Sequence, residues 1–331
     1  MASVRVYVPT YKRNELFVRA INSLLAQTFT NWIAEIHNDC PDDNFPEIFI
    51  KSLNDERFLI YSKNENLGAI KIFNLFFNND IKETFYCLLE DDNWWEPIFL
   101  ESMIMAMEDN IGAIIAFANH YIWDERVGNK WIKRNETRYS QFNSIKYEWV
   151  KFRSLKNICD YSFSNCSLFI RANKFDNFEI PLQTRGDFME HVRQRVFVHP
   201  LLFISKPLVN FSLTLDSYRK KSLKGYHEHE AMLIASFFKY CNDKEKFGES
   251  LISELRNGFG NSINRAIYAG IIDTDSRFLL TKINIKEWIL FLLYCLKHLG
   301  NTINVFQTKK KYEDLWNYLC VNTKNRFEEE C

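Results

Sequence analysis

Between Val4 and Phe117, short apolar runs alternate with stretches whose apolar residues recur at helical spacing. That alternation restricts the fold more than any other feature. Val4–Val8 reads as a buried strand ended by Pro9, followed by Trp32–Ile36, Phe58–Tyr61, Phe85–Leu89 and Ile111–Phe117. Between the first two strands, Leu16, Phe17, Ala20, Ile21, Leu24 and Leu25 form one helical stripe that Asn14 is placed to cap. A second helix opens at Asn66-Leu67-Gly68 and runs to about Phe77, and a third begins near Pro97, where proline suits a first turn. Strands joined through helices pair in parallel, because each crossover returns the chain to the same end of the sheet. The expected class is α/β: a mostly parallel, Rossmann-like sheet flanked by helices.

The pattern then changes. From Asn119 to Leu155 the chain is aromatic and charged without a clear period. Ser162–Ile170, Leu201–Ser205 and Leu208–Leu213 read as strands, and Asp187–Phe197 as a helix. Beyond Tyr226 the spacing is continuously helical, over Glu228–Tyr240, Glu249–Ala269, Lys286–Leu299 and Lys311–Leu319. The expectation is a domain over 1–225 and a helical C-terminal region over 226–331. Within that region Trp288–Leu296 is apolar around nearly the whole helix. Two readings stay open: burial against the rest of the chain or in a homodimer, and contact with an anionic membrane surface through the flanking Lys282, Lys286, Lys297 and Lys309–Lys311.

Composition removes several classes. The 42 Lys and Arg balance 42 Asp and Glu, so the basic excess of an electrostatic nucleic-acid binder is missing. A 47% hydrophobic content with only 10 Gly and 7 Pro excludes linker-like and disordered chains. The 8 Cys include no CxxC pair and mostly lie in apolar stretches such as Phe85–Leu88, which fits buried thiols in a reducing compartment. The N-terminal stretch has no long apolar core, and Trp288–Leu296 falls well short of the ~20 residues that span a bilayer. The expected location is cytoplasmic, with peripheral contact at the inner face of the membrane left open.

In open α/β sheets, ligands bind beyond the carboxyl ends of the strands. Three polar clusters fall there: Thr10-Tyr11-Lys12-Arg13, Asn38–Asp43 and Glu90–Asn93. The acids Glu90, Asp91 and Asp92 directly follow a buried strand, and like charges that close raise one another's pKa unless a cation compensates. A hard divalent ion with a phosphate partner is one compensator. The plainer reading is a solvated turn with acids near the start of a helix.

Together these segments resemble the family 2 glycosyltransferases of GT-A fold. Val8-Pro9-Thr10-Tyr11-Lys12-Arg13 is similar to their opening strand and loop, Asn38–Asp43 to a degenerate second acidic loop, and Asn66-Leu67-Gly68 with Asn74 to the following helix. Leu89–Pro97 is similar to their metal loop, with Glu90 and Asn93 as departures. The resemblance implies a nucleotide-sugar site, with a UDP-sugar as the favoured donor, using Pro9, Thr10, Tyr11, Arg13, Asp39, Asn66, Gly68, Lys71, Glu90 and Asp91. It implies a divalent metal cofactor, Mn2+ or Mg2+, on Asp92, with Glu90 and His227 as further candidate ligands. It also implies a base that deprotonates the acceptor hydroxyl. Arg185-Gly186-Asp187-Phe188-Met189-Glu190 stands where the family carries it, with Gly186 replacing one acid of the usual pair. Asp187 is the expected base and Glu190 the reserve; a helix cap is the plainer role for Asp187.

The family's late aromatic-Arg-x-His segment is missing, and Tyr218–Lys221 or Tyr226–His229 stand in for it. His227 and His229, two residues apart on a helix, face different ways, which argues against a zinc site. Trp94, Trp95 and Trp123 are acceptor-side candidates, since aromatic faces suit sugar C–H surfaces, while core packing is the commoner use of any Trp. The expected activity is inverting, metal-dependent transfer of a hexosyl group from a nucleoside diphosphate to a hydroxyl of a glycan or lipid-linked glycan, in surface polysaccharide synthesis. The alternatives are a degenerate glycan-binding or scaffold subunit and a nucleotidyltransferase. Thr10–Arg13 lacks the glycines that the last would need.

Overall fold

The computed structural model describes residues 2–77, 81–128, 130–139, 146–150, 163–174, 178–195, 197, 200–216, 226–257 and 263–329, the side chains of 301 and 329 excepted. They form two compact units. One holds the described residues of 1–151, 163–179 and 199–217, the other those of 180–198 and 218–331. The division is therefore not a single cut, and position 225 itself lies outside the described residues, as does the basic run Tyr218–Lys221.

The first unit is one sheet with helices on it. Its strands are β1 (Val4–Thr10), β2 (Trp32–Asn38), β3 (Phe58–Ser62), β4 (Phe85–Leu88), β5 (Trp94–Trp95), β6 (Ile115–Arg126), β7 (Lys130–Thr137), β8 (Tyr147–Val150), β9 (Leu168–Arg171) and β10 (Leu201–Leu213). They lie in the order β3-β2-β1-β4-β9-β6-β10-β5, with β7 on β6 and β8 on β10. The pairs β1–β2, β2–β3, β1–β4 and β6–β10 are parallel, and β9 runs antiparallel between β4 and β6. Chain order runs outward from β1 to β3 and then returns to the other side of β1 at β4. The β1/β4 boundary is thus the switch point of the sheet, where a crevice opens beyond the strand ends.

Helices α1 (Asn14–Leu25), α2 (Phe45–Leu53), α3 (Ala69–Asn74) and α4 (Phe99–Asp109) pack on this sheet. α1 buries Phe17, Ala20, Ile21 and Leu24, spaced as one face of a helix. Asn14 does not cap it; Arg13 occupies the cap position, with no side-chain bond to the helix. α4 buries Phe99, Leu100, Met103, Ile104, Ala106 and Met107 under the sheet. On the central strand, Arg5 donates to Glu83 at 2.7 and 2.8 Å and pairs with Glu35, so its charge is compensated where water is scarce.

Several elements differ from expectation for physical reasons. α2 buries only Pro46 and Ile50, too few to leave a stripe in the sequence. β7 is mostly exposed and shows no inward alternation. The two strands expected around Pro207 are one strand, β10, bulged between Ile204 and Val209 where proline has no N–H for the ladder. The strand expected at Ser162–Ile170 begins only at Leu168, after a tight turn over Asn165–Ser167.

The second unit is helical: α5 (Met189–Arg193), α6 (Tyr226–Tyr240), α7 (Lys244–Asn257), α8 (Asn264–Ile272), α9 (Ile285–Lys297), α10 (Leu299–Phe306), α11 (Thr308–Lys311) and α12 (Glu313–Glu329). α6 is its core, buried from Glu228 to Phe238, with Phe237 5.1 Å from Phe327 and Phe238 5.4 Å from Phe278 between ring centroids. The helix expected over Asp187–Phe197 is shorter, since Gly186–Phe188 forms a 3-10 turn and α5 follows. All six described cysteines are free and buried. Among the described residues, no helix is long and apolar enough to cross a membrane.

One buried group gives the first unit a pH dependence. The His120 ring lies between Tyr139 and Phe211, and burial, with Arg138 nearby, lowers its pKa to about 3. The unfolded chain takes up that proton near pH 6.5. Between these values the unfolded state binds more protons, so stability falls on acidification below about pH 6.5, by up to about 1.4 kcal/mol per pH unit from this group. Thermal melts from pH 7 to pH 4 should show a shallower loss for His120→Phe than for wild type. Parallel curves would mean that His120 is not the group responsible.

Candidate active site

The three loops at the switch point meet through named contacts. After β1 the chain turns at Lys12, whose φ of 55° is in the left-handed region. A non-glycine residue held there costs roughly 1–3 kcal/mol, and such strain collects at functional sites. The turn points the Tyr11 N–H to Asp91 Oδ2 at 3.1 Å and sends the Arg13 guanidinium to Asp91 at 3.3 Å and Asp92 at 2.6 Å. Pro9 and Thr10 are buried at the strand end, while Tyr11 is 45% exposed.

The second loop begins with Asn38, whose side chain accepts from the Cys40 N–H and donates to the Asp43 carbonyl, closing a tight polar turn. Asp39 is buried, and its backbone N–H donates to the Thr10 carbonyl at 3.0 Å. Its carboxylate accepts from the N–H groups of Leu67 at 2.7 Å and Gly68 at 2.9 Å and from the Asn66 amide at 3.2 Å. One acid thereby clips the Asn66–Gly68 loop onto the first two strands. Gly68 sits at φ 79° and ψ 159°, a conformation essentially reserved for glycine. Lys71, on α3, is exposed.

The acidic loop follows β4. Asn93, one of the two departures from the family's loop, is buried; it donates to Glu90 at 3.1 Å and accepts from the Ser212 N–H at 2.8 Å, tying the loop to β10. Burial, then the neighbouring Asp92 charge, pushes the Asp91 carboxyl up to about 6 against the pull of Arg13 and the Tyr11 N–H. Burial also raises Asp92, opposed by Arg13 and Arg19. Arg19 donates to the Asp92 carbonyl at 2.8 Å and to Ser212 Oγ at 3.0 Å. Its guanidinium lies 3.9 Å from the Trp94 ring centroid and 4.4 Å from that of Trp131, two cation–π contacts in the corner between nearly perpendicular rings. Burial lowers its pKa to about 10, so it stays charged at neutral pH. Arg19 escaped the sequence reading because, on the polar side of α1, its spacing matches that of a solvated arginine.

The remaining candidates lie elsewhere. Trp95 is corrected from acceptor contact to core: it is 2% exposed, stacks on Phe99 at 4.2 Å and donates its ring N–H to the Cys166 carbonyl at 2.8 Å. Trp94 and Trp123 are half-buried, with centroids 5.2 Å apart, and Trp123 donates to Asn210 at 2.8 Å. Asp187, Glu190 and His227 belong to the second unit. Asp187 does not cap α5, whose cap position is Phe188. Its carboxylate receives both Arg185 Nε at 2.8 Å and a terminal Arg185 nitrogen at 2.9 Å, and the side chain is 2% exposed. Glu190 is buried in α5. His227 Nε2 lies 2.6 Å from the Tyr294 hydroxyl, and its Nδ1 lies 3.4 Å from Glu230. His229 lies 3.3 Å from both the Gln183 carbonyl and the Arg185 N–H.

Among the described residues, no three His, Cys, Asp or Glu side chains are grouped to hold a metal by themselves. A hard ion that arrives with a diphosphate needs only one or two carboxylates from the protein. The Asp91–Asp92 pair fits that donor chemistry, with Arg13 as the group that must release Asp92.

The clip at Asp39 gives a direct test. Around Gly68 a Cβ meets nothing within 4 Å, so Gly68→Ala carries backbone strain without a clash. It should lower stability in urea melts by about 1–3 kcal/mol. A neutral result would mean that the loop relaxes away from Asp39 at no cost.

Comparison with known proteins agrees with this architecture. Residues 5–178 match the family described as glycosyl transferase family 2. The chain is 27% identical over 121 residues to WcaA of Escherichia coli K12, named for colanic acid biosynthesis, covering 36% of this chain and 43% of that protein. It is thus matched to less than half the length of that relative. It is 23% identical over 264 residues to the glycosyltransferase EpsH of Bacillus subtilis 168, covering 75% of this chain and 73% of EpsH. The structure of S. aureus TarS 1-349 in complex with UDP-GlcNAc superposes with a TM-score of 0.59 at 14% identity, over 99% of this chain and 90% of that one. That likeness shows the fold, a GT-A sheet flanked by helices and followed by a helical region. With more than half of its length matched by the family, from the central strand β1 through β9, the chain belongs to glycosyl transferase family 2.

Proposed function

We propose that the first unit binds a nucleoside diphosphate sugar, with UDP as its carrier, and that the chain transfers a hexosyl group with inversion to a hydroxyl of a glycan or lipid-linked glycan in surface polysaccharide synthesis. The observation that carries this reading is the meeting of Tyr11, Arg13, Asp91 and Asp92 at the switch point. TarS binds UDP and UDP-GlcNAc, and WcaA is named for polysaccharide synthesis, which supports the donor and pathway classes.

Tyr11 offers its exposed ring to the base. The Asp39 carboxylate has about four lone-pair sites and spends three of them on the Asn66–Gly68 loop, leaving one for an N–H of the base. Lys71 and Arg13 supply positive charge for the diphosphate. A Mn2+ or Mg2+ ion held by Asp92, with Glu90 or Asp91 beside it, would act as a Lewis acid on the diphosphate leaving group. Arg13 then turns from Asp92 to the phosphate oxygens. In the transfer, the bond from the anomeric carbon to the phosphate oxygen breaks as the acceptor oxygen bonds to the opposite face of that carbon. The acceptor proton passes to Asp187, with Glu190 in reserve, once the Arg185 pair opens to admit the hydroxyl. Trp94 and Trp123 offer apolar ring faces to the acceptor sugar.

One observation favours the second reading, a glycan-binding or scaffold subunit. Asp92 and Asp187 are each engaged by an arginine, Arg13 and Arg185. Calorimetric titration of UDP, GDP, CDP and dTDP, each with and without Mn2+, separates the two. The transferase reading expects metal-dependent binding of one nucleotide. Asp92→Asn should weaken it by about 10–100-fold while leaving metal-free binding little changed. Binding with no turnover on any acceptor would favour the subunit reading. For the base, Asp187→Asn should lower turnover by about 100- to 10,000-fold at unchanged donor affinity. Wild-type turnover in that variant would move the role away from Asp187.

A further inference from the structure

The helix that its composition marked for burial or association is held by one face only. In α9, Phe291 and Cys295 are buried; the Phe291 ring packs 5.2 Å from Tyr268, and the Tyr294 hydroxyl meets His227. The other face continues into α10. Ile289, Leu292, Leu293, Leu296, Ile303 and Phe306 are between 53% and 69% exposed. Isolated exposed apolar residues need no explanation, but a run along two consecutive helices does.

The exposed charges along this stretch of chain have one sign. Glu287 is the only acid between 285 and 311, and it is taken by Arg256 at 2.7 Å and by the Asn284 capping box. Lys286, Lys297 and Lys310 are exposed, whereas Lys309 is paired with Asp273 at 2.5 Å. Acidic charge returns only at Glu313 and Asp314, in the first turn of α12. We propose that α9 and α10 dock on an anionic lipid surface, with the leucine face in the headgroup–acyl boundary and the lysines at the phosphates. A helix lying in such an interface buries its apolar face ~5–10 Å deep, and lysine stems extend to keep their charge in the headgroup layer. Self-pairing of this face sets Lys286, Lys297 and Lys310 against their own copies, whereas anionic lipid compensates them. The inference does not depend on the transferase reading.

The test is flotation of the full chain with phosphatidylcholine vesicles, with and without phosphatidylglycerol, at low and high salt. Wild type should float with the anionic vesicles only and be partly released by salt. The double variant Leu293→Glu, Leu296→Glu should lose at least about tenfold in partitioning with an unchanged melting temperature, because both side chains point into solvent. The variant Lys286→Gln, Lys297→Gln, Lys310→Gln should lose the preference for anionic lipid. Wild type that stays with the lipid-free fraction overturns the proposal, as does a double variant that floats like wild type. So does a stable dimer, seen by light scattering, that the double variant dissolves while wild type ignores vesicles.

Discussion

Two buried carboxylates side by side repel, and the first unit is arranged around compensating them. Asp91 and Asp92 follow a fully buried strand, the first buried and the second mostly so, and solvent screens them poorly. The compensation comes from the other side of the switch point. Arg13 reaches across from the end of β1, and Arg19 from the first turns of α1. Because α1 starts directly after the strained turn at Lys12, the angle of that helix and the charge balance of the acidic loop are one constraint. In the proposed function a substrate diphosphate would bring more negative charge to the same place, and the cations that hold the acidic loop would be the groups to receive it.

The rest of the sheet supports this arrangement indirectly. Arg19 keeps its charge in a dry setting because the Trp94 and Trp131 rings lie against it and Ser212 Oγ accepts a hydrogen bond from it. Ser212 also donates its backbone N–H to Asn93, so a residue on β10 helps to position the loop after β4. Asn93 is neutral where Glu90, Asp91 and Asp92 already carry three charges, and a fourth there would have had no partner among these contacts. Asp39 works the same way at the other side of the crevice, where its oxygens replace the sheet bonds that the Asn66–Gly68 loop does not make.

The second unit follows a different logic. α6 is buried along most of its length, and its neighbours are held by ion pairs such as Arg265–Glu230 at 2.7 Å and Lys244–Asp275 at 2.7 Å. Its outermost helices, α9 and α10, bury little and expose much. That contrast, in one compact unit, is what sets the α9–α10 face apart from ordinary surface.

The alternation of apolar runs determined the parallel β3-β2-β1-β4 part of the sheet by itself, since period and crossover direction are local properties of the chain, whereas the antiparallel pairings of β5, β7, β8 and β9 make the whole sheet mixed rather than mostly parallel. It also determined that Thr10–Arg13, Asn38–Asp43 and Glu90–Asn93 meet at one edge, because in a parallel sheet the strand ends align. Elements that bury little, such as α2 and β7, left no period to read, and the bulge at Pro207 divided one strand into two in the pattern. Burial was equally hidden: Trp94 and Trp95 are adjacent and chemically identical, yet only the strand pairing of β5 with β10 decides which one enters the core. Tertiary structure alone decided that Arg13 and Arg19 hold the acidic loop, that Asp187 is engaged by Arg185, and that the leucines of α9 face outward. Each is a matter of which side chains meet across long separations in the chain, and charge and hydrophobicity read along a line carry no such distances.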